Sequence, residues 1–211
     1  MKRIVFQGDS ITDARRARDV EEYMGSGYPT MVAGDLGVKY PGVYSCVNRG
    51  VSGNRIVDVY ARIKIDCWNL EPDILSLLIG INDVWHEVGD NHNGVDAKRY
   101  EKMYRILVED TKERFPDIKI LVLEPFVLPG AATEAKWDVF SREVPLRAAA
   151  ARRVAEDYGL TFVPLQSVFD EACRLAPADW WLRDGVHPTA HGHRLIADAW
   201  EKAAAENGIL A

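Results

Sequence analysis

The run at residues 73–79, Asp-Ile-Leu-Ser-Leu-Leu-Ile, has almost no polar face. A strand covered on one side alternates apolar and polar side chains. A run that is apolar on both faces reads as a strand buried on both sides, the condition found in a parallel sheet flanked by helices. Shorter apolar runs occur at 3–6, 43–47, 118–123 and 161–163, and longer segments with helical patterning lie between them. Strands alternating with helices are the mark of βαβ units, so the sequence predicts an α/β fold with a parallel sheet.

The expected helices cover 28–38, with Pro29 in the first turn, then 55–70, and 96–115 with Tyr100, Met103, Leu107 and Val108 as its apolar row. Three more are expected. The first covers 136–158, where Pro145 is an interruption or kink and Gly159 the stop. The others cover 167–175 and 190–206, the last carrying Leu195, Ile196, Ala199, Trp200 and Ala203 at three-four spacing. Residues 13–22 interleave arginines with acids and read as a solvated loop. Residues 80–83, 125–134 and 180–188 are also expected as loops. The stretch 125–134, with Pro125, Pro129 and Gly130, leaves the same sheet edge and could rim a pocket.

Composition narrows what such a chain can do. At 211 residues, without repeats or a linker, it reads as one domain spanning 1–211 that can bury a core without disulfides or metals. A net charge of −6 argues against a broad grip on nucleic acid or an anionic membrane. No segment approaches the ~20 apolar residues of a membrane span. The first apolar run is too short for a signal-peptide core, so a cytoplasmic location is expected. Cys46, Cys67 and Cys173 are too few and too scattered for a disulfide framework or a zinc site. Cys46 lies in an apolar run and is expected to be a buried free thiol.

The first strand ends in Gly8-Asp9-Ser10. Ligands bind at the carboxyl ends of strands in an open α/β sheet, which makes Ser10 a candidate nucleophile. Asp-Ser after a glycine is also an ordinary turn and helix N-cap. A serine hydroxyl needs a base, and His187 has Asp184 three residues upstream to orient it. The same pair could be no more than a helix N-terminal turn. Acyl transfer also needs donors for an oxyanion. The N–H of Ser10, the N–H of Gly53 and the amide of Asn82 each follow a different expected strand. Gly53 as a plain turn and Asn82 as a cap of its own loop are the bland readings.

Asp9 is read as a turn-stabilising group and a candidate substrate contact, not as the triad acid. Trp85, Trp180 and Trp181 flank these loops. Trp85 and Trp181 are read as pocket walls for substrate, and Trp68, Trp137 and Trp200 as core. His187, His191 and His193 have helix-face spacing, but no acid or cysteine joins them, so neither metal nor cofactor is expected.

Gly8-Asp9-Ser10-Ile11, Gly50-Val51-Ser52-Gly53, Gly80-Ile81-Asn82-Asp83 and Asp184-Gly185-Val186-His187-Pro188 resemble, in order, the four motif blocks of the GDSL/SGNH hydrolases. Position 11 is isoleucine where the family name has leucine. The resemblance implies a flavodoxin-like three-layer α/β/α fold with a five-stranded parallel sheet. It also implies Ser10 as nucleophile, His187 as base, Asp184 as its orienting acid, and Gly53 and Asn82 as oxyanion donors. Gly8 to Asp13, the following Arg-Ala-Arg and Gly80 to Trp85 are similar to bacterial acetylxylan-esterase-type members, intracellular enzymes that deacetylate xylo-oligosaccharides. A small acetylated carbohydrate or other short-chain ester is then the expected partner, and a homo-oligomer is expected by the same resemblance. A lysophospholipase or thioesterase using the same site, and a carbohydrate-binding protein without catalysis, are the alternatives.

Overall fold

Five strands run parallel in the computed structural model, which describes residues 1–210. They are β1 (Lys2–Gly8), β2 (Tyr44–Asn48), β3 (Ile74–Leu78), β4 (Lys119–Leu123) and β5 (Thr161–Val163), in the order β2-β1-β3-β4-β5. β3 is buried at every position, as its apolar run requires. Ile4 lies opposite Ile74 and Leu75 opposite Ile120, so side chains of like facing line up across the sheet.

The alternation along each strand sorts the core into two layers. Ile4, Phe6, Ile74 and Leu121 face α2 (Tyr28–Lys39), α7 (Gln166–Ala172) and α9 (Ala190–Glu206) through Val32, Phe169, Ile196 and Trp200. Val5, Leu75, Leu77 and Ile120 face α3 (Ile56–Asp66), α5 (Ala97–Arg114) and α6 (Trp137–Asp157) through Val59, Leu107 and Val154. The result is the three-layer α/β/α arrangement. Trp200 is fully buried, and its indole N–H donates to Ser76 Oγ (3.0 Å) on the central strand. No helix among the described residues is long and apolar enough to cross a membrane.

The chain departs from the expected elements where local geometry overrides patterning. Residues 55–70 do not form one helix. α3 stops at Asp66, and a separate 3-10 turn covers Trp68–Leu70 before the left-handed Glu71. Gly80, at φ +142°, turns β3 directly into α4 (Ile81–Val88), so residues 81–83 are helical and not loop. α6 runs through Pro145 without a break. That proline is on the exposed face, where the carbonyl it leaves unpaired can meet water. A short helix, α8 (Ala178–Trp181), occupies the start of the expected 180–188 loop. The 13–22 segment is not uniformly solvated: Asp13 is buried at the end of α1 (Ser10–Asp13). Cys46 is a half-buried free thiol, pushed up to about 12 by burial.

The turns after β1 and β2 are held by side chains from elsewhere. Arg62 on α3 donates to Asn54 Oδ1 (2.6 Å), Gln7 Oε1 (2.8 Å), the carbonyls of Arg49 (2.8 Å) and Gly8 (3.1 Å), and Asp66 Oδ2 (2.9 Å). One guanidinium thereby ties the end of β1 to the loop after β2. Arg62→Met keeps the apolar stem but strands these acceptors, and should lower the free energy of unfolding by about 2–4 kcal/mol. Denaturant melts measure it. A loss below about 0.5 kcal/mol, the level of an ordinary surface substitution, would contradict the clamp.

Candidate active site

The strand order reverses direction at β1 and β3, and the carboxyl ends of these strands form the crevice where open α/β sheets bind ligands. β1 leads into it through a tight turn. A Cβ added at Gly8 would lie 2.3 Å from Thr12 Oγ1 and 2.4 Å from the Leu78 carbonyl oxygen, so only glycine fits. Asp9 then caps α1, its Oδ1 accepting from Ile11 N (3.0 Å), and Ser10 is the first helical residue.

Ser10 Oγ lies 3.0 Å from His187 Nε2, and His187 Nδ1 lies 2.7 Å from Asp184 Oδ2. The ionised carboxylate can only accept, so the proton is on Nδ1 and Nε2 is left to accept from the serine hydroxyl. The second Asp184 oxygen accepts from the N–H groups of His187 (2.8 Å) and Val186 (3.0 Å). Burial works to raise the Asp184 carboxyl. The hydrogen bonds from His187 and Val186 outweigh it and hold the group below its ordinary value.

The loop bearing these two residues is closed by a bridge between Leu182 and Pro188 and by Arg183 N donating to His187 O (2.9 Å). Behind it packs the 125–134 segment. Leu128 N donates to Gly185 O (2.9 Å) and Ala132 N to Asp184 O (3.0 Å). A Cβ at Gly130 would come within 2.4 Å of Asp184 C and Gly185 N. This segment therefore braces the acid from behind and does not rim the cavity.

The loop after β2 is fastened to the nucleophile turn. Asn48 Nδ2 donates to the carbonyls of Thr12 (2.6 Å) and Met24 (2.8 Å), and its Oδ1 accepts from Gly50 N (2.9 Å). Buried Asp13 accepts from Ser52 N (3.1 Å). Gly53 follows at φ +81° with open space where a Cβ would go, so its conformation and not crowding calls for glycine. Asn82, nearly buried in the first turn of α4, donates to Asn54 O (3.1 Å), which orients the amide and leaves it a second N–H.

Ser10, Gly53, Asn82, Trp85 and His187 line one cavity of about 690 Å³. The Trp85 ring is 5.8 Å from the His187 ring and meets Phe140 edge-on. Two expected substrate contacts, Asp9 and Trp181, do not line this cavity. Asp9 is 1% exposed, with one carboxylate oxygen capping α1. Burial pushes it up to about 7, against the pull of the Ile11 N–H and the charge of His187. Trp181 is turned away by α8: its indole N–H donates to Ala176 O (3.2 Å) and its ring packs on the core. His86, Gly89, Asp90, Asn91 and Asn93 also line the cavity, and the sequence does not single them out. A helix starting at Gly80 would have put His86 one turn beyond Asn82 on the same face. The other histidines are occupied separately. His193 Nδ1 accepts from Tyr28 N (3.2 Å), and His191 stacks on Trp180. Among the described residues no histidines, cysteines and acids converge as metal ligands.

Residues 6–195 match the model of the GDSL-like lipase/acylhydrolase family. The chain belongs to that family. It is 35% identical to an acetylxylan esterase of Geobacillus stearothermophilus over 94% of this chain and 92% of that protein. A structure from Parabacteroides merdae, assigned as a GDSL-like lipase, superposes with a TM-score of 0.90 at 38% identity, covering 97% of this chain and 95% of the other. A catalytic mutant of the Geobacillus stearothermophilus acetylxylan esterase, with a serine replaced by alanine, superposes at 0.85 with 32% identity, covering 96% of this chain and 93% of that one. The chain is thus a carboxylic ester hydrolase of the GDSL/SGNH group, with that group's five-stranded parallel sheet.

The raised Asp9 has a consequence for stability. Between its ordinary value of 3.8 and about 7, the folded protein holds a proton that the unfolded chain has released. Stability from this group is complete below the lower value and is lost as pH rises through the upper one. Asp9→Asn cannot ionise, so its Tm should fall less than the wild-type Tm between pH 4 and pH 8. Parallel Tm curves over that interval would contradict the assignment.

Proposed function

We propose that the chain is a serine esterase that removes acetyl groups from xylo-oligosaccharides or related sugars through an acyl-enzyme. The observation that carries this reading is the unbroken relay from Ser10 through His187 to Asp184 at 3.0 and 2.7 Å, opening into a cavity that also holds Gly53 and Asn82.

His187 Nε2 takes the hydroxyl proton as Ser10 Oγ attacks the ester carbonyl carbon. The carbonyl electron pair moves onto oxygen, which receives hydrogen bonds from Ser10 N–H, Gly53 N–H and Asn82 Nδ2. Asp184 stabilises the imidazolium so formed and keeps its ring in place. Collapse of the tetrahedral intermediate breaks the bond to the alcohol oxygen, and the imidazolium hands that oxygen its proton. Water, deprotonated by the same histidine, then attacks the acyl-enzyme and releases acetate, restoring Ser10.

The cavity favours a short acyl group on a polar alcohol. Beyond Trp85 its wall includes His86, Asp90, Asn91 and Asn93, which offer hydrogen bonds to a sugar. The acetylxylan-esterase relatives point to the same substrate class. A lysophospholipase or thioesterase would gain less from these polar side chains.

Acetate release from acetylated xylo-oligosaccharides, wild type beside Ser10→Ala, tests the proposal. Wild type should turn over, Ser10→Ala should lose at least about 10³-fold in rate while melting normally, and octanoyl esters should be poorer substrates than acetyl esters. Ser10→Ala activity within tenfold of wild type would overturn the nucleophile. Preference for octanoyl would overturn the substrate class.

A further inference from the structure

Ser10 and His187 line a second cavity as well, of about 360 Å³, whose other walls include Arg15, Ser26, Arg183, Thr189 and His193. The two catalytic candidates thus form a ridge between two hollows. The second differs in its electrostatics. No aspartate or glutamate lines it, although the chain as a whole carries a net charge of −6.

Its arginines are unlike the rest. Every other arginine of the described residues is engaged by a carboxylate, a carbonyl or an aromatic ring. Arg15 and Arg183 alone have no such partner, and both line this cavity. Arg15 follows α1 in a left-handed conformation, φ +63°, directly after Ala14 at φ +42°. Arg183 is pinned by its N–H bond to His187 O. The 17-residue helix α9 also begins here, Thr189 capping it, so the positive pole of its backbone dipole adds to the two guanidinium charges. His193 contributes shape and not charge, since burial, with the charges of Arg183 and His187, pulls it down to about 4.

We propose that the second cavity is a subsite for an oxyanion, carboxylate or phosphate, borne on the alcohol side of the ester, so that the preferred substrates are acetylated sugars carrying an acidic group. The inference rests on the esterase reading, because that chemistry decides which part of the substrate lies here. Gly53 and Asn82 line the larger cavity and draw the carbonyl oxygen towards it. The leaving alkoxide must reach the His187 imidazolium to be protonated, and His187 lines both hollows, so an alcohol whose sugar rests on the polar wall of the larger cavity can carry a branch past His187 into the smaller one. Guanidinium forks match carboxylate and phosphate oxygens two at a time, a geometry that a neutral xylosyl residue cannot use.

Three acetate esters test the proposal: a neutral acetylated xylo-oligosaccharide, the same backbone with a uronic acid branch, and an acetylated sugar phosphate. For wild type, kcat/KM should be at least about tenfold higher for one of the acidic esters than for the neutral one, mainly through KM, and the advantage should shrink with added salt. Whichever acid is preferred identifies the anion. In Arg15→Ala/Arg183→Ala the ratio of acidic to neutral kcat/KM should collapse towards one, and Arg15→Lys/Arg183→Lys should restore part of it. Hydrolysis of the neutral ester with no preference for either acid, or a preference that survives the double alanine substitution, overturns the subsite and leaves the esterase standing. No turnover of any of the three overturns the acetyl-esterase reading, and the subsite with it.

Discussion

The hydrogen bond between Ser10 Oγ and His187 Nε2 spans 177 positions of sequence, from the end of the first strand to the loop before the last helix. A 3.0 Å contact between such distant points survives only if both ends are held independently of it. One end is the β1 turn, clamped from α3 by Arg62 and from β2 by Asn48. The other is the 182–188 loop, closed on itself and packed against the 125–134 segment through Gly130 and Gly185. The sheet brings the two ends to one edge. These clamps bring the remaining ångströms under control, and rates depend on geometry at that scale.

Two carboxyl groups near the nucleophile are driven in opposite directions by their surroundings. Asp184, half-buried, receives three hydrogen bonds and stays ionised beside the imidazole. Asp9, with one hydrogen bond and an Oδ2 that has no partner, is pushed towards the neutral form. Separation of this kind lets one site hold an anion where the base needs it without a second anion competing for the same proton. Adjacency in sequence is therefore a poor guide to the triad acid. The number of donors pointed at each carboxylate is the better one.

The sheet and its strands were legible because full burial on two faces leaves an unmistakable apolar run, and Gly8, Gly53 and Gly80 mark where the chain turns at the strand ends. Ser10, Gly53, Asn82 and His187 come together in one cavity, with Asp184 behind the histidine, because each follows a strand or closes the last loop at that same edge. What failed to show were interactions between a side chain and a distant backbone. Nothing local to Arg62, Asn48 or Gly130 announces which carbonyl or loop it will meet. Trp181 is a related case: an aromatic next to a catalytic loop reads as a wall, but one turn of helix leaves it half-buried against the core and outside the cavity lining. Arg15 read as part of a solvated charge run, and only the fold reveals that Asp13 and Glu21 pair with Arg18 and Arg49 while the Arg15 guanidinium lines a cavity.

The most direct test of the account is peptide-level mass spectrometry after reaction with a fluorophosphonate, which phosphonylates an activated serine and expels fluoride. A single adduct on the peptide containing Ser10, lost in His187→Ala, is the predicted result, because the hydroxyl is activated only through that imidazole. An adduct on another serine, or labelling of Ser10 that is undiminished without His187, would contradict the relay on which the functional reading rests.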